Sequence, residues 1–280
     1  MLTVALPNKG SLSEGAVSML AEAGYRQRRD SRDLVVLDEA NDVEFFYLRP
    51  RDIAVYVGEG TIDVGVTGRD LLLDSGSPAV ELMTLGFGGS VFELAGPAGR
   101  FASVSDLHGV RVATAYPGLV ASYLEEHGVE AHVVRLDGAV ETAVRLGVAD
   151  AIADVVSTGA TLRQAGLTPF GEPILTSEAV LIGRAGPEPL GLEVFQRRLQ
   201  GVLVARRYVM LDYDVPEHVV EAACALTPGI ESPTVSPLQR AGWYAVRAMV
   251  LHAEAHTLMD RLYDLGARGI LVTSIHACRL

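Results

Sequence analysis

An apolar strand followed by a run of glycine and hydroxyl residues constrains this chain most. Residues 148–156 are rich in Ala, Val and Ile, as a strand buried in a parallel sheet requires. The residues before it, 140–146, have apolar positions at helical spacing, and Gly147 ends that predicted helix. Period two places Asp150 and Asp154 on one face of the strand. Asp154 therefore lies at the carboxyl end, where α/β sheets hold their ligands.

The loop after this strand is suited to binding an anion. It runs from Ser157 to Thr161, and a helix is predicted to begin near Leu162. Small residues let the backbone approach an anion closely, while N–H groups, the helix amino end and hydroxyl groups attract it. An acid before the loop, Asp154, suits a sugar diol or a magnesium ion. The alternative is an ordinary strand-to-helix turn capped by Thr161.

Composition and charge exclude several classes of protein. With 280 residues, the chain suits two domains, or a two-lobed domain with a smaller one. A net charge of −12 and a pI near 5.0 argue against general nucleic-acid binding. Cys224 and Cys278 are far apart without metal-ligand spacing, which favours a reduced cytoplasmic protein. We see no secretion signal and no apolar run long enough to span a membrane, and expect none.

Two basic residues follow predicted strands of the first hundred residues. Lys9, with Gly10, lies between a strand and a helix that begins with serine, an arrangement that suits a second anion site. Arg49 ends another strand, where its guanidinium is able to clamp a phosphate in a bidentate way. Each has an alternative: a solvated turn lysine, and an ion pair of Arg49 with Asp52 or Glu44.

A sequence pattern that occurs twice in the chain predicts two similar lobes. Gly60-x-x-Asp63 parallels Gly147-x-x-Asp150, and T-G-R-D-L at 67–71 parallels T-G-A-T-L at 158–162. Each stretch crosses a short strand and enters a helix. Facing loops of two such lobes form a cleft, which is the usual place for a small-molecule site.

The remaining segments fix the order of the domains. Three glycines at 86–89 favour a crossover between lobes, and the strand at 177–182 is expected to return to the first lobe. From Tyr208 the predicted order β-α-β-β-α-β is that of a ferredoxin-like domain. Tyr116, at a strand end, is placed to stack on a base, although a partly buried structural tyrosine is the commoner outcome.

Several motifs occur together in one order along the whole chain. They are P-N-K-G-S-L-S at 7–13, F-Y-L-R-P-R-D-I at 46–53, D-V-G-V-T-G-R-D at 63–70, L-G-F-G-G-S at 85–90, A-T-A-Y-P at 113–117, the stretch 141–162, and T-P-G-I-E-S-P-T at 227–234. Together they resemble ATP phosphoribosyltransferase, in its long form with a C-terminal regulatory domain. The order from Asp154 to Thr161 is similar to the loop that binds phosphoribosyl pyrophosphate (PRPP) in that family.

The resemblance implies a fold and a reaction. The fold is α/β, with a two-lobed catalytic core like that of periplasmic binding proteins and a C-terminal ferredoxin-like (ACT-like) βαββαβ domain. The reaction joins the phosphoribosyl group of PRPP to N1 of ATP and releases pyrophosphate, with Mg²⁺, as the first step of histidine biosynthesis. Histidine inhibits by feedback, AMP competes at the active site, and the chains form homo-oligomers, dimers and hexamers.

The resemblance also implies the site residues. Those binding PRPP are Asp154, Val155, Val156, Ser157, Thr158, Gly159, Ala160 and Thr161. Those lining the nucleotide and phosphate region are Lys9, Gly10, Arg49, Asp70, Ser90, Thr114 and Tyr116. The catalytic candidates are Glu141, Asp154, Lys9 and Arg49, with Glu141 and Asp154 as candidate magnesium ligands beside substrate phosphates. Those surrounding histidine are Asp214, Thr234 and Gly269.

The expected domain boundaries follow from these assignments. Residues 1–92 and 177–207 form lobe I, 93–176 form lobe II, and 208–280 form the regulatory domain. Two other functions remain open: a non-catalytic binding module for a small solute with the same two-lobed fold, and a regulatory or assembly subunit built around the C-terminal domain. The first usually carries a secretion signal, and the second tolerates a degenerate PRPP loop.

Overall fold

The computed structural model of the protein describes residues 1–156 and 159–279. Its contacts divide the chain into two compact units, which are Met1–Ala21 with Tyr25–Leu192, and Glu22–Gly24 with Glu193–Leu280. The helix at 192–207, expected in the first lobe, thus groups with the C-terminal residues. The division falls before this helix rather than after it.

The first unit alternates strands and helices along the chain. Its elements are β1 (Leu2–Pro7), α1 (Ser11–Glu22), β2 (Val35–Asp38), β3 (Val43–Leu48), α2 (Pro50–Gly58), β4 (Val64–Gly68), α3 (Arg69–Ser75), β5 (Ala79–Thr84), β6 (Ser90–Pro97), β7 (Arg111–Thr114), α4 (Pro117–Glu126), β8 (His132–Arg135), β9 (Ala151–Val156), α5 (Ala160–Gln164), β10 (Leu167–Ser177) and β11 (Ala179–Arg184).

These strands form two sheets, one for each predicted lobe. The first has six strands in the order β2-β3-β1-β4-β11-β5, and the second has five in the order β10-β6-β9-β7-β8. β3, β1 and β4 are parallel neighbours, as are β9, β7 and β8. Within each group the carboxyl ends therefore meet at one edge of the sheet, and the two-lobed α/β expectation is confirmed.

The chain crosses between the sheets twice. It leaves the first sheet through the glycine-rich segment after β5 and returns at Glu178, between β10 and β11. The two crossings are bonded together, since Leu85 N donates to Ala179 O at 3.0 Å and Ala179 N donates to Phe87 O at 2.9 Å. The predicted crossover and the returning strand are both confirmed.

The first half of the repeated sequence pattern has the same structural role in both lobes. Asp63, just before β4, accepts hydrogen bonds from Thr3 N (2.8 Å) and Thr3 Oγ1 (2.7 Å) at the start of β1. Asp150, just before β9, accepts in the same way from Arg111 N (3.3 Å) at the start of β7. Both aspartates thus tie the amino ends of a central parallel strand pair. At the second half the lobes differ, because Gly159 has a left-handed φ of 66° and Gly68 an extended φ of −81°.

Three local predictions beside β9 are wrong. The helix expected over 140–146 is a 3₁₀ turn at Val140–Thr142 followed by further turns, and the strand begins at Ala151 rather than Val148. Thr161 does not cap the next helix: Gly159 holds that position and Thr161 lies inside α5. With the left-handed Gly159 as its N-cap, the helix begins at Ala160, two residues before the expected start near Leu162.

The second unit is a four-stranded antiparallel sheet with two helices packed on one face. Its elements are α6 (Leu192–Arg207), β12 (Tyr208–Pro216), α7 (Val220–Leu226), β13 (Thr234–Pro237), β14 (Trp243–Leu251), α8 (Ala255–Leu265) and β15 (Arg268–Ser274).

The order of the strands in this sheet is β13-β14-β12-β15. β12 has alternate residues buried, and these pack with residues of α7 and α8 in one core. The predicted βαββαβ domain is confirmed. Among the described residues, no helix has the length and apolar character needed to cross a bilayer.

Candidate active site

Three predicted residues of the first lobe follow adjacent parallel strands. Lys9 follows β1, Arg49 follows β3 and Asp70 follows β4. The pairing of β1 with β3 reaches the end of both strands, since Asn8 N donates to Leu48 O at 2.8 Å. Lys9 and Arg49 consequently leave the sheet side by side.

Lys9 and Arg49 are available cations. Both are exposed, and within the described ranges neither forms an ion pair or a side-chain hydrogen bond, so the ion pair of Arg49 with Asp52 or Glu44 is not formed. Gly10 has a φ of 80°, which favours glycine, and its carbonyl accepts the first amide bonds of α1. The turn thus presents its lysine to solvent.

Arg69, the third basic residue of this edge, is instead bound within the protein. Its Nε and one Nη each lie 2.9 Å from an oxygen of Glu81, and it lies 3.5 Å from Glu178. The Glu81 hydrogen bond raises the pKa of Arg69, and that of Glu81 is lowered in turn. Glu178 also accepts from Gly86 N at 3.1 Å. Arg69 therefore supports the crossings between the lobes rather than a free anion site.

Tyr116, from the second lobe, meets Asp70 from the first. Burial raises the pKa of Tyr116, and the nearby charge of Asp70 raises it further. Asp70 is itself buried and accepts a 2.8 Å hydrogen bond from Ser177 Oγ. Tyr116 N donates to Thr114 Oγ1 at 3.0 Å. Three predicted nucleotide-region residues, Asp70, Thr114 and Tyr116, thus lie together.

The ring of Tyr116 is partly covered by protein. Phe92 packs against it edge-on, with ring centroids 5.1 Å apart, and the Arg51 guanidinium carbon lies 4.9 Å from its centroid. The tyrosine is thus the partly buried structural residue that was the alternative, and it also presents its hydroxyl to the cleft residues.

Asp154 and Glu141 form an acidic pair in the second lobe. Burial raises the pKa of Asp154, and the nearby charge of Glu141 raises it further, against a 2.8 Å hydrogen bond from Val155 N. Asp154 also acts electrostatically on Tyr116. The catalytic candidates of this lobe therefore adjoin the nucleotide-region residues.

The predicted PRPP loop is described except at Ser157 and Thr158, which lie outside the described residues. Val155 and Val156 end β9, and Gly159 and Ala160 lead into α5. Thr161 lines a pocket of about 250 Å³ together with Glu141 and Arg145. The structure thus brings Glu141 beside the loop, although no helix carries it there.

Ser90 lies at the first crossing between the lobes. It lines a pocket of about 460 Å³ with Ser177 and Glu178. Ser177 in turn contacts Asp70, so Ser90 lies near the same buried polar group.

The acidic residues fit a magnesium ion held largely by substrate. No three or more His, Cys, Asp or Glu residues of the described chain are grouped to hold a metal by themselves. Asp154 and Glu141 offer two carboxylates, and Mg²⁺ is commonly bound by one or two carboxylates plus substrate phosphates. The raised pKa of the half-buried Asp154 indicates a carboxylate whose charged form a cation would stabilise.

The three residues predicted to bind histidine lie in the second unit, and two of them, Asp214 and Gly269, lie close together. A Cβ added at Gly269, which has a φ of 59°, would lie 3.3 Å from Asp214 Oδ2. Thr234 is on β13, the opposite edge strand from Gly269 on β15. Thr234 is paired with Arg247 of β14 and does not join Asp214 and Gly269 within the chain.

Sequence reasoning missed several polar residues at this site. Asn8 Oδ1 is buried without a hydrogen-bond partner among the described residues, a state that costs about 1–3 kcal/mol. Ser177 and Glu178 carry no motif of their own, and only the return of the chain between lobes places them here. Asp74 was missed as well. Its position four residues after Asp70 was a signal that could have found it, because residues four apart lie on the same face of a helix.

Comparison with known proteins decides the family. The family model described as ATP phosphoribosyltransferase matches residues 49–201, and the model described as HisG, C-terminal domain, matches residues 205–277. The chain belongs to the ATP phosphoribosyltransferase family. The C-terminal match makes it a member with the additional domain of the long form.

Full-length relatives support this family assignment. A protein of Pseudarthrobacter chlorophenolicus named ATP phosphoribosyltransferase is 66% identical, and one of Streptomyces coelicolor with the same name is 60% identical; each alignment covers 100% of both chains. The solved ATP phosphoribosyl transferase (HisG:HisZ) complex from Thermotoga maritima has a chain 28% identical with a TM-score of 0.62, over 72% of this chain and 98% of that chain.

Proposed function

We propose that this protein transfers the phosphoribosyl group of PRPP to N1 of ATP, giving N1-(5-phosphoribosyl)-ATP and pyrophosphate in the first step of histidine biosynthesis. The observation that carries the proposal is the position of Asp154. It is a half-buried carboxylate near Glu141, towards the end of β9 and just ahead of the glycine loop. This is the order of acid, loop and helix that a phosphoribosyl group requires.

The second lobe is proposed to hold PRPP. Gly159, with its left-handed backbone, leads the loop amides into α5, and Thr161 adds a hydroxyl in the pocket that Glu141 lines. Backbone N–H groups and hydroxyls in such a turn suit the 5-phosphate. Asp154 then faces the ribose hydroxyls, with Glu141 as the second acidic group.

The first lobe is proposed to hold the remaining phosphates and the nucleotide. Lys9 and Arg49 are free cations at adjacent strand ends and suit the pyrophosphate or the ATP phosphates. Asp70 and Tyr116, whose charge and hydroxyl group influence each other, are proposed to line the nucleotide region. AMP, which shares the adenosine part of ATP, is proposed to compete there.

The chemistry requires positioning and charge more than acid–base catalysis. Adenine N1 is already a nucleophile, and pyrophosphate leaves from C1 of the ribose through a transition state with oxocarbenium character. The enzyme accelerates this reaction by holding the two substrates together and by stabilising the leaving group. Lys9 and Arg49 provide charge for the leaving group. Mg²⁺, held by Asp154 or Glu141 with substrate phosphates, would supply further positive charge.

Regulation is proposed to reside in the second unit. Asp214, beside Gly269, suits the ammonium group of histidine, and Thr234 is assigned to the same ligand. Feedback inhibition by histidine, assembly into dimers and hexamers, and a cytoplasmic location are proposed on the basis of the family.

The test is incubation of the purified chain with ATP, PRPP and Mg²⁺, with pyrophosphatase added to draw the reaction forward. Ultraviolet absorbance follows alkylation of adenine, with and without histidine. We expect product that histidine suppresses. Product that histidine leaves unchanged would remove the regulatory proposal alone. Folded protein that binds PRPP without forming product would instead favour a non-catalytic binding module.

A further inference from the structure

Asp74, a residue of the first lobe, caps a helix of the second. Its Oδ1 accepts hydrogen bonds from Gly118 N at 2.9 Å and Leu119 N at 3.2 Å, in the first turn of α4. Asp74 lies on α3, which follows β4 of the first sheet, whereas α4 follows β7 of the second. The side chain is only 7% exposed. These bonds therefore link the two lobes directly.

Among the described residues, helix α4 receives no side-chain cap from its own lobe. Tyr116 holds its N-cap position and makes no side-chain capping bond. The amide groups of a first helical turn need acceptors, and the amino end favours a negative charge. Asp74 meets both requirements only where α3 lies against α4, so the cap depends on the contact between the two lobes.

Arg51 extends the contact toward the nucleotide region. Its Nη1 lies 2.7 Å from Asp74 Oδ2, and its guanidinium lies over the ring of Tyr116. The two oxygens of Asp74 thus have different partners: one binds α4 of the second lobe, and the other binds an arginine of the first lobe that touches Tyr116.

The backbones approach so closely that residue 118 must be small. A Cβ added at Gly118 would collide with the carbonyl oxygen of Asp74. The contact is therefore built from both sides, by a carboxylate on α3 and by a glycine on α4. This allows the same contact to be broken without removing the carboxylate.

We propose that Asp74 is a positioning residue that latches the two lobes and thereby holds Tyr116 beside Asp70. The proposal rests on the proposed function for its kinetic consequence, because Tyr116 and Asp70 are assigned to the nucleotide region. Asp74 itself touches neither substrate. Its effect is on how often the two lobes present a complete nucleotide region to ATP.

The kinetic experiment compares Asp74→Ala, Asp74→Asn and Gly118→Ala in the full-length protein. We expect Asp74→Ala to lower kcat/KM for ATP about tenfold, the loss of one charged cap, and Gly118→Ala to act in the same direction. Asp74→Asn should be milder, since its amide oxygen still accepts from α4. The effects of Asp74→Ala and Gly118→Ala should not add, because both break one contact. Asp264→Asn, an exposed carboxylate of the second unit, is the charge-matched control.

A distance measurement tests the latch without using activity. Spin labels are placed at Glu59 and Glu126, exposed positions at the ends of α2 and α4, in a Cys224→Ser, Cys278→Ser background. Pulsed electron resonance then gives the distribution of distances between lobes. We expect Asp74→Ala and Gly118→Ala to broaden and lengthen this distribution, with Asp74→Asn between these two variants and the wild type.

The outcomes separate the latch from the proposed function. Unchanged distance distributions in folded Asp74→Ala and Gly118→Ala proteins would overturn the latch. Changed distributions with wild-type kcat/KM would overturn its positioning role. A wild-type protein that forms no product would refute the proposed function, and the distances alone would then decide the latch.

Discussion

Asp150 directly precedes strand β9 and Asp154 lies within it, and their surroundings shift the pKa values of the two carboxyls in opposite directions. At the amino end, hydrogen bonds from Arg111 lower the pKa of Asp150 to about 2, with a further contribution from Arg100. At the carboxyl end, burial raises the pKa of Asp154, and the charge of Glu141 adds to the effect. Asp150 forms ion pairs with Arg100 and Arg111, whereas Asp154 forms none within the described part of the chain. Asp150 is thus a structural residue, and Asp154 is prepared for a cationic ligand.

Replacing Asp154 by Asn should separate stability from activity. A carboxyl whose pKa is raised on folding contributes stability below its ordinary pKa, and this is lost as the pH rises through the raised value. The charge of the half-buried Asp154 therefore costs stability as the pH rises, and Asp154→Asn, which carries no charge, should raise the Tm at neutral pH. Turnover should fall about 100-fold or more, because the acidic ligand is lost. Thermal melts from about pH 4 to 8 and the absorbance assay measure both effects.

Glu141→Gln is the matched control for this prediction. It removes the neighbouring charge that raises the pKa of Asp154 and should bring the acid limb of the activity profile to lower pH. A lower Tm for Asp154→Asn at neutral pH would contradict the assignment of Asp154 as a strained, ligand-binding carboxylate.

Replacing Asp150 by Asn should have the opposite effect. Its pKa is lowered to about 2, so its stabilisation is present above the ordinary carboxyl range and is lost as the pH falls toward 2. We expect Asp150→Asn to cost about 1 kcal/mol at neutral pH, a value reduced because the partner Arg111 is 45% exposed. Turnover per folded molecule should be retained. Urea unfolding at neutral pH and near pH 3 would show the cost shrinking in acid, and a constant cost would refute the ion pair as its source.

The parts of the site that sequence predicts well are those fixed by local spacing. Strand, acid, glycine loop and helix follow one another from Asp150 to α5, and the order of such elements survives errors of a few residues at their ends. The equivalent positions of Asp63 and Asp150 are also predictable from nearby sequence, because each aspartate directly precedes a central strand. The βαββαβ order of the second unit was predictable for the same reason.

The parts that sequence misses depend on contacts far apart in the chain. Arg69 lies in a stretch that is similar in sequence to the predicted phosphate-binding loop, yet its side chain is bound by Glu81 and Glu178. Glu178 reaches Arg69 only because β11 returns to the first sheet. The turn at Glu141 was predicted as helix because its apolar spacing is helical. The packing of Val140 and Ala143 on the second-lobe core holds these residues in a turn instead.

Arg49 and Arg69 should respond differently to the same substitution. Arg49 is exposed and unpaired within the described chain, so Arg49→Ala should leave the Tm near that of the wild type and lower kcat/KM for PRPP about 10- to 100-fold. Arg69→Ala leaves Glu81 and Glu178 without their cation and should cost about 1–2 kcal/mol of stability. Differential scanning fluorimetry and steady-state kinetics on both proteins distinguish the two roles.

A lysine variant of Arg69 and the dependence of PRPP binding on salt extend this comparison. Arg69→Lys loses the two-point contact with Glu81 while keeping its charge, so it should recover only part of the stability. Increasing salt should weaken PRPP binding in the wild type more than in Arg49→Ala. A drop in Tm for Arg49→Ala as large as that for Arg69→Ala would show that Arg49 is structural and remove it from the phosphate site.

Asp214 and Gly269 should control inhibition by histidine together. Asp214→Ala removes the carboxylate proposed for the ammonium group and should raise the histidine concentration for half-inhibition at least tenfold, about the effect of losing one charged hydrogen bond. Gly269→Ala keeps the carboxylate but places a Cβ 3.3 Å from Asp214 Oδ2, in a backbone conformation that disfavours alanine, and should weaken inhibition as well. Thr234→Ala, on the opposite edge strand, tests whether that edge contributes. Each variant is compared with its own rate without histidine, and Asp264→Asn serves as the charge control; wild-type inhibition of folded Asp214→Ala would place the histidine site elsewhere.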